Sequence, residues 1–181
     1  LIAKAVGIRL GANGIRTATT SLGDVPAEDL VGGRWDSHAA RAWGAKVAQA
    51  DAVVIATPVY KASFSGGLKA LLDLLPERAL ADKIVLPIAS GGTLAHLLAV
   101  EYALKPVLSV LGARHILSGV FAHEAQVSFV GDGPCVFDAE VQSRIEESVE
   151  QLTELLEHAD ARRLLTSEPL AAISQRARCS A

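Results

Sequence analysis

The sequence predicts an α/β domain in three layers, with helices on both faces of a parallel sheet. Val53-Val-Ile-Ala56 and Lys83-Ile-Val-Leu-Pro-Ile-Ala89 are short apolar runs rich in β-branched residues, the pattern of strands covered on both faces. Each run passes through a glycine-bearing loop into a helix-patterned segment, Leu68 to Leu75 after the first and Leu94 to about Leu111 after the second. Strands that alternate with helices in this way require right-handed crossovers and pair in parallel.

Composition bounds the rest. With 181 residues, the chain is read as a single domain over 1–160 and a weakly patterned, mobile tail over 161–181. Hydrophobic residues make up 50%, yet no apolar run reaches the roughly 18 residues of a membrane span. Lys4 and Arg9 break a signal-peptide pattern. A net charge of -3 gives no electrostatic case for nucleic acid or for an anionic membrane. Cys135 and Cys179 lack the companions of a zinc site and read as free thiols of a cytoplasmic protein.

In chain order, Leu1 to Leu10 reads as the end of a helix closed by Gly11 and Gly14. Ile15 to Thr20 reads as a short edge strand and Pro26 to Leu30 as one helical turn. Asp36 or Ser37 caps a helix that runs to Gln49. After the strand at 53–56, Thr57-Pro58 ends the strand, because proline offers no N–H to a ladder. Arg114 to Phe121 carries a further strand signal. Asp138 to Glu157 is a last helix, with Val141, Ile145, Val149, Leu152 and Leu156 on one face.

Two loops at corresponding strand ends have binding character. Thr57 to Gly67 offers Tyr60, Lys61, Ser63 and Ser65. Ser90-Gly91-Gly92-Thr93 lets a ligand approach the backbone and precedes a helix N-terminus, which suits a phosphate or the charge that builds up at N1 of a reduced flavin. Taken alone, the second loop is equally a tight strand-to-helix turn. Two such loops at one sheet edge favour a cofactor.

The helix over 94–111 is apolar nearly all round, which points to cover from a second subunit. Pro106 lies within it and conflicts with the carbonyl of Tyr102, so a kink, a π-bulge or a break at Lys105 is expected there. His96 reads as a packed or capping histidine, and His115, His123 and His158 have no partners at ligand spacing. Lys69 and Asp73 form a surface pair. No catalytic acid–base pair and no metal-ligand pattern is visible.

Ala56-Thr-Pro-Val-Tyr-Lys-Ala-Ser-Phe-Ser-Gly66, followed by Leu68-Lys-Ala-Leu-Leu-Asp-Leu-Leu-Pro-Glu-Arg78, resembles the NADPH-dependent FMN reductases. So does Ser90-Gly-Gly-Thr-Leu-Ala-His-Leu-Leu-Ala-Val-Glu-Tyr-Ala-Leu-Lys-Pro-Val-Leu108. The best match is the branch that serves two-component alkanesulfonate monooxygenases, and the likeness covers Leu1 to about Phe129. It implies a flavodoxin-like fold with strand order 2-1-3-4-5. It also implies FMN and NADPH as cofactors, and homo-oligomers, dimers or tetramers, built on helix 94–111 with a π-helical insertion around Tyr102.

In the same resemblance, Thr57, Pro58, Val59, Tyr60 and Lys61 lie along the flavin ring, with Pro58, Val59 and Tyr60 shaping its face. Ser90, Gly91, Gly92 and Thr93 meet its pyrimidine side as N–H donors, and Lys61 and Ser65 make polar contacts near the ring. Reduced FMN would pass to an FMN-dependent monooxygenase. A quinone or azo reductase with retained FMN, or a flavodoxin-type electron carrier, are the alternatives on the same fold.

The family's first strand and its serine- and arginine-bearing phosphate loop have no counterpart here. The chain contains no methionine and opens in mid-helix pattern, so roughly 20 upstream residues are expected in the natural protein. Without them the chain is expected to fold poorly and bind FMN weakly; a cooperative melt with micromolar FMN affinity would refute this.

Overall fold

The computed structural model describes residues 1–129 and 135–167. The centre is a sheet in which β1 (Ala52–Tyr60), β3 (Ile84–Gly91), β4 (His115–Ile116) and β5 (Val120–His123) run parallel. A two-residue strand, β2 (Ser63–Phe64), folds back antiparallel on the end of β1. Side chains along β3 alternate between two cores, as the period of a strand requires. Ile84, Leu86 and Ile88 pack with Val6 and Leu10 of α1 (Ile2–Ala12) and with Val141, Ile145, Val149 and Leu152 of α6 (Ala139–Ser167). Val85 packs on the opposite face with Val47 of α3 (His38–Gln49), Leu68 and Leu72 of α4 (Gly66–Asp73), and Leu104 and Leu108. The order helix, sheet, helix is that of the α/β class read from the sequence.

Helix starts follow their caps. Ser37 accepts the Ala40 N–H at 3.1 Å, and Ser65 accepts the Leu68 N–H at 3.2 Å, so Gly66 and Gly67 belong to the first turn of α4. A short helix α2 (Ala27–Gly32) stands where one turn was expected.

The helical stretch after β3 is composite: a 3₁₀ turn at Leu94–Leu97, a π segment at Val100–Leu104 and α5 (Lys105–Val110). Lys105 N–H bonds to Val100 O, five residues back. The π register falls where Pro106, at the start of α5, cannot supply an N–H to the preceding turn. The π-bulge expected around Tyr102 is present.

Three expectations need correction. Ile15–Thr20 is not a strand. No strand among the described residues lies beside it to complete its ladder, and its threonines alone do not hold one; Ile15 instead packs against the core. Second, Pro58 does not end β1. Ile84 N–H bonds to Asp51 O, a parity that turns the backbone N of Pro58 toward the side of β1 away from β3, where a proline costs no ladder bond. Third, the last helix, expected to end at Glu157, runs to Ser167, and Arg163 reaches Asp51 at 2.6 Å. Hydrogen bond and charge from Asp51 together raise the Arg163 guanidinium above its ordinary pKa. Residues 130–134 and 168–181 lie outside the described residues; the first stretch includes Asp132-Gly133-Pro134, whose residue types are those of a turn.

The strand signal over 114–121 is realised as two pieces, and the cause is Pro87. Leu117 N–H bonds to Val85 O, and the next bond of a regular parallel ladder would need the N–H that Pro87 lacks. The neighbouring strand bulges at this point: Val85 pairs with Ile116 but Ile88 with Val120, so three steps along β3 match four along its partner. Gly119 takes φ 90° in the bulge, and a Cβ there would lie 2.6 Å from Pro87 O. An antiparallel pair, β6 (Val127–Phe129) and β7 (Cys135–Phe137), stands apart from the main sheet.

Candidate functional site

β1 and β3 end side by side, with Thr57 opposite Ala89 and Pro58 opposite Ser90. The two loops singled out in the sequence therefore meet at the carboxyl edge of the sheet, where open α/β sheets bind ligands.

On the β1 side, Tyr60 and Ser63 close a tight hairpin through Lys61 and Ala62. Both turn residues have positive φ, 50° and 62°, a conformation that costs a side-chain-bearing residue about 1–2 kcal/mol. The hairpin holds Tyr60 in solvent, 64% exposed, at the rim of the site. Thr57 is turned inward. Its hydroxyl accepts the Ser65 N–H at 3.0 Å and donates to Pro58 O at 2.9 Å, which ties the loop to the start of α4. Ser65 is buried as the α4 cap, and Val59 packs with Ala89, Ala99, Val100 and Phe121. Thus, of Thr57 to Lys61, Pro58, Tyr60 and Lys61 face outward.

On the β3 side, Ser90 and Gly91 are the last residues of the strand, opposite Ala122 and His123. Ladder positions turn the Ser90 N–H to β1 and the Gly91 N–H to β5, leaving Gly92 and Thr93 beyond the strand. A Cβ at Gly91 would meet His96 Nδ1 at 2.6 Å, so the imidazole lies directly on the glycine. That nitrogen is buried without a hydrogen-bond partner. His123, which the sequence left without a partner, bonds through Nε2 to Gly92 O at 2.8 Å. Its partner is a backbone carbonyl, and residue spacing carries no signal for such a contact. The Glu124 carboxylate stands 3.8 Å from where a Gly92 Cβ would be. The helical dipole behind this loop is weaker than the sequence implied, because the first turn is 3₁₀ over Leu94–Leu97.

The arrangement is an open ledge. Two shallow clefts lie elsewhere, between α1 and α6, lined by Arg9, Glu150 and Thr153, and between α4 and α5, lined by Leu72, Val107 and Val110. The ledge has the character of a seat for a flat ring: an apolar and aromatic rim from Pro58 and Tyr60, and a side-chain-free backbone at Gly92. A planar heterocycle needs a face to stack on and donors at one edge, and this surface offers both.

Residues 1–128 match the sequence profile of the NADPH-dependent FMN reductases. The chain belongs to that family. It is 54% identical over 138 residues to an FMN reductase (NADPH) of Pseudomonas putida, covering 76% of this chain and 70% of that protein. To an FMN reductase (NADPH) of Escherichia coli it is 53% identical over 133 residues, 74% of this chain and 69% of that one. The fold is similar to that of a crystallised NADH:FMN oxidoreductase in its apo form, with a TM-score of 0.74 and 32% identity, over 83% of this chain and 78% of that one. Membership in the FMN reductase family makes the chain an oxidoreductase whose cofactors are FMN and NADPH. No helix among its described residues is long and apolar enough to cross a membrane.

Proposed function

We propose that this chain passes a hydride from NADPH to FMN at the ledge between the Thr57–Lys61 hairpin and the Ser90–Thr93 loop, and releases reduced FMN in the cytoplasm to a separate monooxygenase that desulfonates alkanesulfonates. The observation that carries the site is the pairing of Pro58 with Ser90, which brings both loops to one edge. When bound, FMN supplies the N5 that accepts the hydride from C4 of the nicotinamide. The chain's own task is then to stack and orient.

Pro58 and Tyr60 form the face of the seat, with Val59 behind them in the core. Gly92 and Thr93 offer N–H donors to the pyrimidine edge, with Ser90 at the strand end before them. Lys61 adds a positive charge at the rim, while Thr57 and Ser65 hold the hairpin in place. The acceptor monooxygenase rests on the resemblance of the two loops to the alkanesulfonate branch.

The exposed stripe Leu94, Leu98 and Tyr102, with Val110 beyond it, supports a homo-oligomer through this helix. Tyr102 is 79% and Val110 82% exposed, which is costly for a helix facing water.

Steady-state oxidation of NADPH tests the reading. The expected result is a rate that saturates with added FMN, together with sulfite release when an alkanesulfonate monooxygenase and its substrate are supplied. Turnover of quinones or azo dyes by co-purified FMN, with no dependence on added FMN, would assign the chain to the other reductase class.

A further inference from the structure

We propose that His123 is the positioning residue of the Gly92–Thr93 peptide, and that it keeps the Thr93 N–H directed at the flavin edge; the inference rests on the flavin reading of the ledge. β5 delivers His123 opposite Gly91, at the end of the ladder. Its ring is engaged at both nitrogens: Ala125 N–H donates to Nδ1 at 3.0 Å, and Nε2 lies 2.8 Å from Gly92 O. A ring nitrogen that accepts a backbone N–H carries no proton, so the proton of the neutral imidazole is on Nε2 and is donated to Gly92 O.

The histidine is itself fixed. Its backbone N–H donates to Gln126 Oε1 at 3.0 Å, and Gln126 Nε2 donates to Asp138 and Glu140 at 2.9 Å each. The ring is thereby anchored through a short 3₁₀ turn to the start of α6.

Gly92 has no side chain to set the orientation of its peptide. In a trans peptide the C=O and N–H point in opposite directions. With Gly92 O held toward β5, the Thr93 N–H points to the other side of β3, where the Pro58–Lys61 hairpin stands. His123 contacts neither FMN nor NADPH in this scheme; it acts through the peptide.

Two substitutions separate its two bonds. His123→Gln retains an N–H at the reach of Nε2 and gives up the acceptor for Ala125. His123→Asn retains an acceptor at the place of Nδ1 but is too short for Gly92 O. FMN affinity by fluorescence quenching, KM for FMN and thermal melting are measured on the whole chain and both variants. His123→Asn is expected to weaken FMN binding about fivefold, the size of one lost orienting hydrogen bond, while melting at or above the temperature of His123→Gln. His123→Gln is expected to bind FMN within about twofold of the unaltered chain.

Opposite orders for binding and for melting are a result that a purely structural role does not produce. Equal FMN affinity in His123→Asn and the unaltered chain overturns the inference alone, and so does weakening in both variants in proportion to lost stability. A complete lack of saturable FMN quenching by the unaltered chain, as distinct from weak binding, overturns the flavin reading and the inference with it. Nitrogen NMR of the unaltered chain decides independently of either variant and of folding losses: a His123 ring protonated on Nδ1 instead of Nε2 overturns the inference.

Discussion

Thr57 shows how a polar residue at a strand end can serve a site from behind. Its hydroxyl accepts from Ser65 N–H and donates to Pro58 O, and the residue is buried. Replacing it with valine keeps the shape and leaves the Ser65 N–H without its acceptor. Thr57→Val is expected to cost about 1–3 kcal/mol in urea unfolding, with Thr57→Ser close to the unaltered chain. The loss of FMN affinity should follow the loss of stability, because the residue holds the hairpin that carries Pro58 and Tyr60. The resemblance of the 57–61 loop to the FMN reductases implied Thr57 among the ring contacts. It could not say that the side chain turns inward, because that depends on a backbone N–H eight residues further on. His123 is the opposite case: a histidine with no partner in the sequence, bound in the fold to a carbonyl 31 residues away.

At the scale of elements, local chemistry read well and long-range pairing only in part. Ser37 and Ser65 mark helix starts by the capping rule. Pro106 was sufficient to place the irregular turn at Val100–Leu104, since the missing N–H and the crowded carbonyl belong to one helix. The two apolar runs became neighbouring parallel strands, and that pairing brought both candidate loops together. By contrast, Ile15–Thr20 had the composition of an edge strand, but a ladder needs a second chain segment beside it. The division between β4 and β5 was equally hidden, because it arises where Pro87 meets Gly119 across the sheet. That contact makes a clear prediction. A methyl group at Gly119 would sit 2.6 Å from Pro87 O, on a residue at φ 90°. Gly119→Ala is expected to cost about 3 kcal/mol in chemical denaturation, the sum of overpacking and backbone strain.

For the molecule as a whole, the composite helix after β3 presents two unlike faces. Leu104 and Leu108 are fully buried against the sheet, while Leu94, Leu98, Tyr102 and Val110 are exposed. If the exposed stripe is where copies meet, Leu98→Glu combined with Val110→Lys should leave the fold intact and reduce the mass by sedimentation to that of one chain. An unchanged mass for an oligomeric protein would place its interface elsewhere. The whole-molecule effect of Pro87 is one of counting. Had the strand opposite β3 continued evenly from the pairing of Val85 with Ile116, Ala122 would stand opposite Gly91, and Phe121 would be turned to the face covered by α1 and α6. The single extra residue at the bulge corrects the parity, so Phe121 joins Val59 and Val100 and the imidazole comes up beside the glycines. Insertions or deletions between Leu117 and Gly119 are therefore not silent loop changes: each is a frameshift in space, exchanging which residue of β5 meets the ledge.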